Sequence, residues 1–190
     1  GGRDADSNEE VYSKYLDKRD LALHTDEPGA PLTVIKTEGE DVPDITLLEA
    51  AQFAISYSSL WKAGLFSGDC YMVKGNQVTK TPEHGEFLRK GAFVIRGERR
   101  YFHNLAVGIA VGIAKGILIG GPSSAIQPLA DPVVEIEPGQ YNPDDLAKRI
   151  YRLFSERIED KAYLKSIASI DQIVQFLPPG GSRIKGDQRE

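Results

Sequence analysis

The ten residues of LAVGIAVGIA, 105–114, alternate a large apolar side chain with alanine or glycine without a break. Period two puts Leu105, Val107, Ile109, Val111 and Ile113 on one face of a β-strand and Ala106, Gly108, Ala110 and Gly112 on the other. A strand with one bulky face and one flat face needs a core against the first and a close neighbour against the second, so this part of the chain is committed to a sheet. Gly108, Gly112, Gly116 and Gly120 also recur at every fourth position, as in a small-residue helix face. Each glycine costs a soluble helix about 1 kcal/mol, which favours the strand. The run is also too short for a membrane span, which needs about 20 apolar residues.

The rest of the pattern mixes both element types. Ser7 and Glu10 form a candidate capping box before Val11, Tyr12, Tyr15 and Leu16 at helical spacing. LALHT and LTVIK read as strands around the turn-forming DEPGAP. TLLEAAQFAISYSSLWKAG predicts a long helix, boxed by Thr46 and Glu49 and stopped by Gly64. Glu49 and Lys62 are its only charges between residues 45 and 62, so it is expected to be largely buried. Gly75-Asn76 and Gly97-Glu98 are expected two-residue hairpin turns, the first between CYMVK and QVTK, the second between GAFVIR and RRYFH. VVEIEPG reads as a further strand. An amphipathic helix over about 143–160 follows, capped by Asn142, with Pro143 at its first position and Leu146, Ile150, Leu153 and Ile158 as its stripe. SIDQIVQFL reads as a short helix and PPGGSRIKGDQRE as a flexible end. The fold class expected is α/β in the α+β sense: a mostly antiparallel sheet, one long buried helix and a helical C-terminal extension. At 190 residues one domain is expected, with 1–122 as its core and 123–190 as the extension.

Few chemistries fit this composition. One cysteine, Cys70, excludes an internal disulfide and a cysteine-rich zinc site, and it reads as an inert core residue. A reducing, cytoplasmic setting is expected. The chain starts GGRDADSNEE, without methionine or an apolar leader, and reads as processed or cut from a longer protein. No phosphate loop of the GxxxxGK type and no GxSxG elbow occurs. Of three histidines, His24 with Asp26 could be an acid–base or metal pair, but two ligands are too few for a zinc or iron site, and a hydrogen-bonding His24 is favoured. No cofactor or metal is expected, and the chain is not expected to be an enzyme.

Charge is the outlier. Net charge is −5, yet residues 74–103 hold seven cations (Lys74, Lys80, Arg89, Lys90, Arg96, Arg99, Arg100) against three acids. If Gly97-Glu98 closes a hairpin, Arg96 faces Arg99 beside Val94 and Tyr101. Facing like charges destabilise a sheet unless an anion sits between them, and guanidinium forks suit phosphate. A nucleic-acid backbone is the natural ligand of such an island.

Four blocks, GGRDADSNEE…KYL…RDLALHTDEPGAP, LLEAAQFAISYSSLWKAG, NQVTKT…GEFLRKGAFVIRG and PGQYNPDDLAKRI…IVQFLPPGG, resemble the NFACT-R domain, in its archaeal form, of the NEMF/RqcH-like NFACT proteins. Gln77, Lys80, Gly85, Glu86, Gly91, Phe93, Arg96 and Gly97 match its pattern. The resemblance implies an RNA-binding module of ribosome quality control and template-free tailing, with tRNA, the large ribosomal subunit and the other NFACT domains as partners, no membrane and no catalysis. Some relatives were formerly labelled fibronectin-binding. Eukaryotic members carry an aromatic pair where this chain has CYM, leaving Tyr71 as the stacker there, and Pro28-Gly29 replaces their histidine turn. The candidate RNA-binding residues are Lys74, Lys80, Arg89, Lys90, Arg96, Arg99, Arg100, Tyr71, Tyr101 and His24. Two rivals stand beside this: a protein-docking module, and an RNA-processing enzyme using His24 and Asp26.

Overall fold

Asp4, not Ser7, caps the first helix. In the computed structural model, which describes residues 1–85 and 87–186, α1 (Ala5–Glu10) starts where the Asp4 carboxylate accepts from the Ser7 amide at 2.8 Å, and Ser7 Oγ accepts from the Asp4 amide at 2.9 Å. Ser7 is thus the return half of the box rather than its origin. A single π turn, Val11–Tyr15, follows. β1 (Leu21–His24) and β2 (Thr33–Ile35) then pair antiparallel, Leu21 opposite Ile35, around the expected turn.

The long helix breaks in two. α2 (Asp44–Ser56) begins after Pro43 without a side-chain cap, so Thr46 and Glu49 lie inside it. Its end is set by hydroxyl chemistry: Ser58 Oγ donates to the Ile55 carbonyl at 2.6 Å, competing with the backbone ladder. α3 (Ser59–Lys62) continues to Gly64, which stops it at φ +73°. α2 buries Leu47, Ala51, Ala54 and Ile55 but leaves Ile45 and Leu48 exposed.

Neither expected hairpin forms. β3 (Ser67–Lys74) pairs antiparallel with β1, Ala22 opposite Val73 and His24 opposite Tyr71. The Gly75 amide donates to the Asp20 carbonyl at 2.8 Å, and a Cβ on Gly75 would lie 1.9 Å from the Asp17 carbonyl oxygen. Glycine at 75 therefore permits close approach of two chain segments rather than a hairpin turn. β4 (Val78–Thr79) and β5 (Val94–Ile95) form their own ribbon, while β6 (Arg100–Ala106) joins β3 in a sheet ordered β2-β1-β3-β6. Gln77 causes the second departure. Its side-chain amide donates to the Arg96 and Glu98 carbonyls, 2.8 Å each, and its backbone carbonyl accepts from the Arg96 amide at 2.9 Å. Residues 96–98 wrap around Gln77, so β5 and β6 end in different sheets. Ala22, Leu32, Tyr71, Val73 and Val78 form a core cluster that Tyr12, Phe93 and Ile95 cover.

These elements make one compact unit, Gly1–Ser59 with Ser67–Leu105; Leu60–Phe66 and the chain from Ala106 make a second. In the second, β7 (Ile109–Ala114) pairs with β8 (Ile117–Pro122) and with β9 (Val133–Tyr141), antiparallel to each. A short α4 (Ser123–Ile126) links them, so position 122 falls inside this unit. The flat face of β7 has its use: a Cβ on Gly112 would sit 2.5 Å from the Ala130 methyl. α5 (Pro143–Arg157) is capped by Asn142 and buries Leu146, Ile150 and Phe154, with Leu153 half-buried. α6 (Lys161–Ile167) and α7 (Ile170–Val174) follow.

The expected flexible end contains β10 (Ser182–Ile184), which pairs antiparallel with β9. Trp61 Nε1 donates to Ser182 Oγ at 2.9 Å and to the Gly181 carbonyl at 3.1 Å, holding the start of β10 in place. Glu86 and residues 187–190, named above in the family pattern and in the flexible end, lie outside the described residues. The fold is α+β, with antiparallel sheets and several helices.

Candidate nucleic-acid interface

Tyr71 organises the site. It is central in β3, is buried, and has its hydroxyl pushed up to about 12 by that burial. The Arg99 guanidinium lies 4.5 Å over its ring while Nη1 meets Asp26 Oδ1 at 3.1 Å. Tyr101, on β6, is 5.8 Å from Tyr71 between ring centres, and its hydroxyl lies 3.4 Å from Asp26 Oδ2. Alternation along β6 separates its two faces. Arg100 points toward α2, 3.7 Å from Asp44, so Tyr101 and His103 project from the opposite face.

His103 completes the row. Its ring stacks 5.4 Å from Tyr101 at an interplanar angle of 4°, and its Nδ1 is 2.8 Å from Asp69. Asp69 also accepts from the Asn104 amide at 2.7 Å, where Asn104 adopts φ +53°. That amide and the imidazole hold the Asp69 carboxyl below its usual range. At the inner end, the His24 ring is 6.1 Å from Tyr71. Its Nδ1 lies 2.6 Å from the Thr25 carbonyl, which can only accept, so that nitrogen carries the proton. Burial lowers the His24 pKa.

The ten expected residues do not all meet. His24, Tyr71, Arg89 and Lys90 line one groove of about 500 Å³ together with Arg3 and Asp26. Lys74, Arg99 and Arg100 line a second recess of about 450 Å³. Arg96 and Arg99 do not face each other: Arg96 is 3.6 Å from Glu83, and Arg99 is held by Asp26. No anion is needed to reconcile them. Lys80 pairs with Glu9 of α1 and its Nζ lies 4.7 Å over Phe93, so it braces Phe93 against α1, while Lys90 pairs with Asp6 of α1 at the exposed surface. Lys74 and Arg89 hold no ion pair among the described residues. His103 was not anticipated from the sequence, nor were Lys18 and Arg19, which line a recess with Lys74 and Arg100. The signal for His103 was its place two residues beyond Tyr101 on an exposed strand.

Cys70 is buried, with its thiol pushed up to about 12 by burial. Among the described residues, no group of three or more His, Cys, Asp or Glu is placed to hold a metal ion, and no helix is long and apolar enough to cross a membrane.

Comparison with known families matches residues 1–97 to the NFACT protein RNA binding domain. Over 188 residues the chain is 38% identical to the archaeal Rqc2 homolog aRqcH of Methanocaldococcus jannaschii, covering 96% of this chain and 26% of that protein. It is 41% identical over 102 residues to the ribosome quality control complex subunit NEMF homolog of Drosophila melanogaster, covering 53% of this chain and 10% of that protein. In fission yeast the ribosome quality control complex subunit 2 is 29% identical over 115 residues. The chain thus spans about a quarter of its archaeal relative and a tenth of the fly protein.

Proposed function

The chain belongs to the NFACT protein RNA binding domain family, and from that membership we propose that it is the RNA-contacting module of a ribosome quality-control protein. It binds tRNA or large-subunit ribosomal RNA, acts in the cytoplasm beside the other domains of such a protein, and assists template-free tailing without catalysis of its own. The observation that carries this reading is the shared recess of Lys74, Arg99 and Arg100, linked to the aromatic row through Arg99 over Tyr71, in a chain of net charge −5. Localised cations beside exposed rings can hold phosphate and bases together, which a dispersed positive charge does not.

Lys74→Glu with Arg100→Glu tests it. Among the described residues Lys74 holds no ion pair and Arg100 an exposed, loose one, so the fold should melt as before. Retention of tRNA on filters at low salt should fall steeply, and the salt dependence of what binding remains should flatten. Unchanged retention in the double variant sinks the reading. Docking on protein has one observation in its favour, Phe87, which is 87% exposed on the segment that also carries Arg89 and Lys90. That reading gains if Phe87→Ala weakens ribosome association at a salt concentration where tRNA binding is already lost.

A further inference from the structure

We propose, resting on the RNA-binding reading above, that Tyr101 and His103 form a platform for unpaired nucleobases, so that the module selects single-stranded over duplex RNA. Exposed aromatics scattered singly on a surface need no explanation. These two are not scattered. They occupy alternate positions on β6, an outer strand of its sheet, and lie within 4° of parallel. Tyr101 is 40% exposed, and the His103 side chain 69% exposed.

Each ring is also held by its own acid, Tyr101 through its hydroxyl on Asp26 and His103 through Nδ1 on Asp69. Asp69 is fixed in turn by the Asn104 amide. Orientation has thus been set from outside the hydrophobic core, at two rings that gain little from burial. A flat, oriented pair of exposed rings offers its faces to a third ring, and every base has a face to stack.

The same two carboxylates separate the two forms of RNA. Asp26 and Asp69 remain well exposed beside the rings. A duplex turns its phosphates outward and its bases inward, so it would bring charge against charge and leave the rings unused. An unpaired base brings an uncharged ring to stack, and its exocyclic amino group can donate to a carboxylate. Arg99 stands at the inner edge, 4.5 Å over the Tyr71 ring, where a flexible backbone can reach it while a base stays on the platform.

The experiment uses the whole chain with fluorescein-labelled oligoadenylate, free and annealed to oligouridylate, read by anisotropy. The single strand should bind more tightly than the duplex. Tyr101→Ala with His103→Ala should weaken single-strand binding roughly 5- to 150-fold, the span expected when one base loses its stacking partner. The same change should leave duplex binding and thermal melting alone. Tyr101→Phe keeps the ring and should retain most of the single-strand affinity. If both forms bind equally and the alanine pair changes neither, the platform is refuted while RNA binding stands, provided Lys74→Glu with Arg100→Glu still weakens both. If neither form binds, the platform and the RNA reading fall together.

Discussion

β7 hides five of its six residues, Ile109 through Ile113, whereas β6 leaves Arg100, Tyr101, His103, Asn104 and Ala106 exposed. Both strands alternate side chains at the same period. In β7 each side chain has a packing reason: Ile109 and Val111 are fully buried, and Gly112 makes room for Ala130. In β6 the rings are held by Asp26 and Asp69, through polar bonds that a folding argument does not require. Residues whose placement packing explains are poor functional candidates. Those oriented at the surface by dedicated partners are better ones.

The difference breaks most sharply at Ile109. Ile109→Ala should cost about 2–5 kcal/mol, since a wholly buried side chain leaves a cavity behind. Gly112→Ala should cost about 1–3 kcal/mol by overpacking against Ala130 and Val133. Urea melts measure both. RNA affinity, corrected for the folded fraction, should not move. A folded Ile109→Ala protein with weakened RNA binding would erase the distinction between the two strands.

Tyr101→Ala and His103→Ala sharpen the same contrast from the other side. Each removes an exposed ring on an outer strand, so each should shift stability by no more than about 0.5 kcal/mol. A loss above about 1.5 kcal/mol in either would make the ring a structural part of β6, and its geometry would then need no ligand.

How much of this was legible in the sequence follows from the range of the interactions involved. β7 was legible because its alternation is local and both of its neighbours satisfy it. β1, β2, β9 and α5 were legible for the same reason, helped by Asn142 and Pro143 at the start of α5. The two hairpins were misread because Gly75-Asn76 and Gly97-Glu98 have the local chemistry of turns, while what decides them is distant. Asp20 claims the Gly75 amide, and Gln77 reaches across to Arg96 and Glu98. Nothing near residue 97 in the sequence announces Gln77 as a competitor. The cationic island was plain from composition, yet its pairing with Asp6 and Glu9 of α1 was not, and the half-buried pair with Glu9 turns Lys80 into a brace. His103 was passed over because a lone histidine acquires meaning only beside Asp69, which folding brings to it from another strand.

The smallest effect expected is one of pH, and it distinguishes the units that carry the two strands. All three histidines, at 24, 84 and 103, belong to the unit of β6, and none to that of β7. Burial lowers the His24 pKa in the folded protein, with the charges of Asp26 and Arg99 acting on it in opposite directions. Unfolding restores the ordinary value near 6.5, so the unfolded chain binds the extra proton more readily. Stability from this residue is therefore fully present above about 6.5 and is lost as pH falls from there toward the lowered folded value. His24→Gln removes the titration while keeping a side-chain amide able to donate to the Thr25 carbonyl. Melting temperatures of the two proteins should run parallel above that pH and converge or cross below it, with the wild type falling faster. Parallel curves throughout the acid range would show that the fold does not favour neutral His24 over its protonated form, and burial would then not govern the inner end of the aromatic row.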